Sequence, residues 1–365
     1  MQITGRKRLL YIMGIDWNWI FQRPQILEQH LEVDYDVTVV FPRSILHRAA
    51  ADEMVAVQPE ETRILWTIPR QERYGFLRKV SSLLNREVFQ DLDRYAAVII
   101  GYPLYYRYIS SSYHGKVLYD CMDYHKALYP DPRSLNGLLV QEDRLIRESD
   151  HIIVTSGQLY RNMIDRGADA AKIRLIRNGT NIDRVVPPDN RIPQEKKTYK
   201  IGYFGTIAEW FDYELLEDSL ENYRNVEYHL IGPVRKESVV RSDRLIMEGV
   251  VRKDQLPDYT AEYDCFIMPF LVNDVVEWVD PVKLYEYIAL GKCIISVRYA
   301  EIERFEPFVY MYTDGAEYRQ LLGKLIETGF PAKYSAEQQH AFLEENSWDR
   351  RFDAWDDVLD QVLKN

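Results

Sequence analysis

Lys283 and Glu286 stand three residues apart in Asp280–Val297, DPVKLYEYIALGKCIISV. That spacing puts both side chains on one face of a helix. Asp280 is a good N-cap, and Pro281 suits the first helical position. Gly291 falls where the helix would stop, and CIISV then reads as a buried strand. A helix N-terminus offers N–H groups and a partial positive charge, which suit a phosphate. A cation and a carboxylate at that end would hold the diphosphate and the ribose of a nucleotide.

IGYFGTIAEWFD is the second stretch of this kind, with Gly202 and Gly205 on a strand and Thr206 just after it. Glycine there lets backbone approach a phosphate closely; tight strand–helix packing is its plainer use. WNWIFQRPQ gathers Trp17, Trp19, Gln22 and Arg23 at the mouth of the first strand. Aromatic rings stack on the apolar faces of sugars and Arg23 can hold an anion bidentately, with ordinary core packing as the competing reading of the tryptophans. KVLYDCMDYH sets Asp120, Asp123 and His125 at or just past a strand end. A general base or an acceptor-binding carboxylate belongs in such a place; a turn cap (Asp120) and a solvated loop carboxylate (Asp123) are the alternatives. IRLIRNGTNID closes on the Asn178–Gly179 turn and offers Asn181 and Asp183, a generic signal on its own.

Other chemistries lack their residues. No G-x-G-x-x-G follows Gly14, and no P-loop occurs. Cys121, Cys265 and Cys293 form no metal-binding spacing and read as buried thiols of a reducing compartment. The net charge of −11 argues against nucleic acid as a partner. That charge is uneven: residues 1–195 carry 26 Lys+Arg against 25 Asp+Glu, and residues 196–365 carry 20 against 32. No run is apolar enough for a signal peptide or a spanning helix, so a cytoplasmic chain is expected.

The elements that must position these residues alternate. Strands are expected at 8–14, 36–42, 63–69, 96–103, 116–123, 151–156 and 173–179, with helices at 21–31, 72–92, 135–148 and 158–166 between them. A polar linker over 183–200 contains Pro187, Pro188 and Pro193. The alternation then restarts, with strands at 199–207, 226–233, 245–251, 265–270, 293–297 and 308–312. Helices are expected at 213–220, at the opening stretch, at 315–327 and at 347–363. Near-continuous apolar strands alternating with helices indicate an α/β fold with parallel sheets covered on both faces. Two such domains place a ligand cleft at the carboxyl ends of their strands. Within 72–92 the apolar stripe Leu77, Val80, Leu84 and Val88 is expected to face a core, with Arg73, Arg78, Lys79 and Arg86 solvated beside it. Docking of this basic helix on an anionic bilayer is the alternative.

In order and spacing, SDHIIVTSGQL…IRLIRNGTNID, IGYFGTIAEWFD and DPVKLYEYIALGKCIIS resemble a GT-B fold glycosyltransferase of the family 4 type. WNWIFQRPQ paired with GTIAEWFD looks most like bacterial enzymes of cell-surface glycan assembly, including the teichuronic acid type. SWDRRFDAWDDVL resembles the closing helix of that fold. The resemblance implies two Rossmann-like domains facing across a cleft. They would span 1–190 for the acceptor and 191–340 for the donor, with 341–365 crossing back to the first. It implies transfer from a nucleotide diphosphate sugar, a UDP-sugar foremost, to a carbohydrate or lipid-linked glycan, without metal or other cofactor. Donor contacts would fall on Gly205, Thr206, Asp280, Lys283, Leu284 and Glu286, and acceptor contacts on Trp17, Trp19, Gln22 and Arg23. Asp123, then Asp120, would be the base of an inverting reaction, with His125 beside them; a retaining one needs no base there. Glu286 matches the second glutamate of the family's Glu-x7-Glu motif, whereas Trp278 occupies the first position. Ala208, Glu209 and Trp210 stand where the family often has Arg and Lys. A cytoplasmic location is expected, with peripheral contact on the inner face of the cell membrane as the alternative. A nucleotide-sugar epimerase and a non-catalytic partner subunit are the alternative functions on this fold.

Overall fold

The computed structural model describes residues 5–19, 21–46, 58–109, 113–128, 131–181, 185–188 and 196–364. Asp183 and Pro193 lie outside the described residues. The chain divides into two compact units, Met1–Arg177 with Phe352–Asn365, and Asn178–Arg351.

The first unit runs β1 (Arg8–Ile12), α1 (Arg23–Leu31), β2 (Asp36–Ser44), β3 (Glu61–Thr67), α2 (Gly75–Leu84), β4 (Ala97–Ile100), β5 (Lys116–Cys121), α3 (His125–Leu128), α4 (Pro132–Glu148), β6 (His151–Val154), α5 (Gly157–Asp165) and β7 (Ile173–Leu175). Its seven strands pair in parallel in the order β3-β2-β1-β4-β5-β6-β7. Leu9–Ile12 and Ala97–Ile100 are fully buried, because central parallel strands are covered on both faces. The core under α1 joins Trp17, Leu27 and Leu31 to Trp355, Val358, Leu359 and Val362 from the C-terminal helix. His30 stacks on Phe352 with ring centroids 4.0 Å apart, and its Nε2 meets Asp356 at 2.9 Å.

The helix expected over 72–92 is shorter and sits the other way up. Ser81 is the buried residue of α2, while Val80 and Leu84 are exposed. Asn85, just past the helix, explains this orientation. Its side chain accepts from the Trp66 N–H and donates to the Trp66 carbonyl, both at 2.8 Å. Trp66 lies on β3, at the sheet edge, whose outward backbone groups need partners. The polar edge of α2 therefore faces the protein; of the expected core stripe, Leu77 and Val88 are half-buried while Val80 and Leu84 face water.

The second unit runs β8 (Tyr199–Phe204), α6 (Tyr213–Asn222), β9 (Val226–Ile231), β10 (Leu245–Gly249), α7 (Leu256–Tyr259), β11 (Cys265–Met268), α8 (Val282–Ala289), β12 (Cys293–Val297), β13 (Tyr310–Tyr312), α9 (Gly315–Thr328) and α10 (Ala336–Glu345), and enters α11 (Trp348–Lys364). Six parallel strands order as β10-β9-β8-β11-β12-β13. Both sheets thus wind alike: three strands laid down in one direction, the rest in the other. The winding reverses between β1 and β4 in one sheet and between β8 and β11 in the other, and ligands of such sheets bind at the carboxyl ends there. Helix α10 is absent from the sequence expectations, although Ser335 and Gln338 form the reciprocal cap of an S-x-x-Q start, at 3.2 and 2.9 Å. It braces α8: Gln339 donates to the Ile288 carbonyl at 2.7 Å, one of the last carbonyls of that helix. No helix among the described residues is long and apolar enough to cross a membrane.

Candidate functional site

The second unit gathers its motif residues at the reversal point of its sheet. Helix α8 follows β11, and β8 beside it ends just before Gly205. Asp280 does not cap α8 as expected: Pro281 is the cap residue, and no side chain caps the helix. Asp280 is instead buried. It accepts the Asn178 N–H at 2.7 Å and the Tyr285 hydroxyl at 3.0 and 3.1 Å, and it ion-pairs with Arg304. Asn178 also donates its side-chain amide to the Asp280 carbonyl at 3.0 Å. This network fixes the entry to α8, with the Arg304 guanidinium 4.1 Å from the Phe305 ring centroid.

Lys283, in the first turn, is half-buried, with Nζ 5.7 Å from the Tyr203 ring centroid and 5.9 Å from that of Phe270. Burial pushes its ammonium below the usual lysine range, and the Glu286 carboxylate opposes that shift. Its stem lies against Gly205: a Cβ there would stand 2.1 Å from Lys283 Cε. Gly205 has φ +136°, a backbone region that side chains rarely adopt. Its neighbour Gly232, at the end of β9 with φ +132°, would place a Cβ 2.2 Å from the Gly205 carbonyl oxygen. The structure thus brings Gly205, Thr206, Lys283 and Glu286 to one end of the sheet, with Thr206 and Glu286 half-buried. The Thr206 carbonyl accepts from the Tyr203 hydroxyl at 2.8 Å. Leu284 is wholly buried, so its side chain packs in the core rather than facing a ligand. Gly202 serves packing as well, since a Cβ there would meet the Tyr263 ring at 2.3 Å.

The Asn178–Gly179 turn is a brace. A Cβ on Gly179 would stand 3.0 Å from the Trp348 nitrogen, and Asn181 Oδ1 accepts the Trp348 N–H at the start of α11. Sequence reasoning missed Gly232, Tyr285 and Arg304. Gly232–Pro233 after an apolar strand was a readable turn signal. Nothing local marks Arg304 as the partner of a carboxylate 24 residues upstream.

In the first unit the loop after β5 separates three candidates. Asp120 is fully buried and pairs with Arg23 at 3.1 Å, and Arg23 also donates to the Arg177 carbonyl at 3.3 Å. Two expectations fail here for one reason. Each of these charges needs the other once both are removed from water, so Arg23 is not presented to an acceptor anion, nor Asp120 to a hydroxyl. Asp123 is exposed past the strand end; desolvation by the surrounding protein and the Asp120 charge push its carboxyl up, with His125 opposing. His125 is buried edge-on to Tyr102, with centroids 5.4 Å apart. Burial pushes its imidazole down, and neither ring nitrogen finds a hydrogen-bond partner among the described residues. Trp17 is corrected to core: it is 1% exposed among Met13, Leu27 and Leu31 and shows no face to a sugar. Trp19 is half-buried. Gln22 is exposed at the start of α1, where its N–H donates to Gln25 Oε1 at 3.2 Å. Among the described residues, no group of three or more His, Cys, Asp or Glu is placed to hold a metal ion.

No known family profile matches the chain. A Bacillus subtilis (strain 168) protein provisionally named teichuronic acid biosynthesis glycosyltransferase TuaH is 24% identical, over 74% of this chain and 80% of its own length. Among solved structures, sucrose-phosphate synthase (tll1590) from Thermosynechococcus elongatus matches with a TM-score of 0.72 at 14% identity, over 98% of this chain and all of that one. Anabaena Alr3699/HepE in complex with UDP-glucose matches with a TM-score of 0.66 at 13% identity, over 97% of this chain and 100% of that one. The chain has the GT-B fold, and the resemblance to bacterial GT-B glycosyltransferases expected from its motifs is borne out.

Proposed function

We propose that the protein is a hexosyltransferase. It would move a sugar from a UDP-sugar to a carbohydrate or lipid-linked glycan, during synthesis of a bacterial cell-surface polysaccharide on the cytoplasmic side. The observation that carries this reading is the seat of Lys283 across Gly205 at the reversal point of the second sheet. The likeness to a teichuronic acid glycosyltransferase and the UDP-glucose held by a protein of the same fold support it.

In this reading Lys283 and the first turn of α8 meet the diphosphate. The lysine is held against two aromatic rings with its ammonium partly desolvated, and a phosphate beside it would favour the charged form. The Gly205–Thr206 backbone approaches the same phosphates, and Glu286, one turn along α8, takes the ribose hydroxyls. Leu284 contributes through its backbone, and Asp280 acts indirectly by fixing the helix start. As the bond from the anomeric carbon to the phosphate oxygen breaks, the leaving UDP gains charge that Lys283 offsets, so no metal or other cofactor is required. On the acceptor side Trp19 and Gln22 are the accessible groups, and Asp123 accepts the proton of the attacking hydroxyl, with His125 behind it.

Titration calorimetry with UDP and UDP-sugars tests the donor site. Lys283→Ala and Glu286→Gln should each weaken binding roughly tenfold or more, the scale of a lost charged hydrogen bond, with unchanged circular dichroism. Wild-type affinity in both variants would sink the assignment.

A further inference from the structure

We propose that α2 is a membrane-docking helix whose outward face sits on an anionic lipid bilayer. Phe76, Val80, Leu83 and Leu84 recur at helical spacing, and all four are exposed, Phe76 at 66% and Leu83 at 72%. An apolar stripe turned toward water is unfavourable unless something covers it. The helix is not loosely held in this orientation. The two Asn85–Trp66 bonds and the Ser81 hydroxyl, 3.2 Å from that of Tyr108, pin its polar edge to the protein.

Charge selects the cover. Residues 70–86 contain five Lys and Arg and one carboxylate, in a chain of net charge −11. Arg73 is paired with Asp131 and Arg107 with Glu72, whereas Arg78, Lys79 and Arg86 are exposed and form no ion pair with a described residue. Beside the stripe runs a groove of about 670 Å3, lined by Phe76, Arg78, Lys79, Ser82 and Arg107, a chemistry suited to a phosphate head group. A basic helix with an apolar face lies in the bilayer interface, rings and aliphatic chains below the head groups and cations among them. A second copy of the chain is the poorer cover. A two-fold contact through this face sets like charges against each other. Repulsion of an acidic protein from an anionic surface leaves this basic face as the one that can approach.

Flotation of the full chain with vesicles of phosphatidylcholine, with and without phosphatidylglycerol, tests the proposal. Binding is expected only with phosphatidylglycerol and should weaken as salt rises. Arg78→Glu with Lys79→Glu should lower the bound fraction roughly tenfold or more. Phe76→Ser with Leu83→Ser should do the same, and UDP binding should be unchanged in both, since α2 lies outside the donor site. Three results would overturn it: no binding by the wild type, equal binding by the variants, or a dimer in sedimentation that Phe76→Ser with Leu83→Ser dissolves.

Discussion

Asp120 and Asp123 share one short stretch, DCMD, and have opposite surroundings. Asp120 is still on β5 and points at Arg23; Asp123 lies past the strand end and meets solvent. Replacing Asp120 by Asn should unfold rather than inactivate, because Arg23 would be left buried and unpaired at a cost of about 3–5 kcal/mol. Replacing Asp123 by Asn should lower turnover by roughly 100-fold or more, the scale of a lost general base, with UDP affinity intact. A base at this position works deprotonated, and desolvation by the surrounding protein raises the Asp123 pKa. Activity is therefore present above that pKa and lost as pH falls through it, at a higher pH than for an ordinary carboxylate. Asp123→Asn should abolish the acid limb of kcat/KM. A variant with wild-type turnover would remove Asp123 as the base.

Strand ends set the proposed donor site at the scale of elements. Gly205→Ala adds a methyl 2.1 Å from Lys283 Cε, at a φ that alanine avoids. About 1–3 kcal/mol of stability should go, and UDP affinity should fall in the same variant because the lysine must move. Gly232→Ala meets the Gly205 carbonyl, which is backbone and cannot step aside, so it should cost more. Thermal unfolding and calorimetry on both variants check the ranking; a Gly205→Ala protein with normal melting and normal affinity would contradict it. Much of this level was legible in the sequence. Apolar strands alternating with amphipathic helices announced both sheets, and DPVKLYEYIALGK placed α8 within two residues. Periodicity says which residues share a face but not where that face points, so it turns Val80 and Leu84 inward when Asn85 holds them outward. Trp17 looked like a sugar platform because its loop position is legible and its burial is not. The pair Asp280–Arg304 is a tertiary fact that no local pattern carries.

Across the whole molecule, the two sheets wind alike, while the halves on either side of residue 195 differ in charge, a contrast plain from composition. One element ignores the division. Helix α11 begins in the second unit and ends in the first, where Trp355, Val358, Leu359 and Val362 complete the core with Trp17, Leu27 and Leu31, and the Leu363 carbonyl accepts Lys7 Nζ at 3.0 Å. On the ribosome the chain emerges from its N-terminus, so the earliest-made sheet is the last to be finished. Its apolar face must wait, uncovered, while the entire second unit is synthesised. A polypeptide truncated after Arg351 should be cut by protease within residues 5–177 and spared within 196–351; uniform resistance would refute this order. The first unit is therefore the part of the nascent protein that most needs shielding by a chaperone.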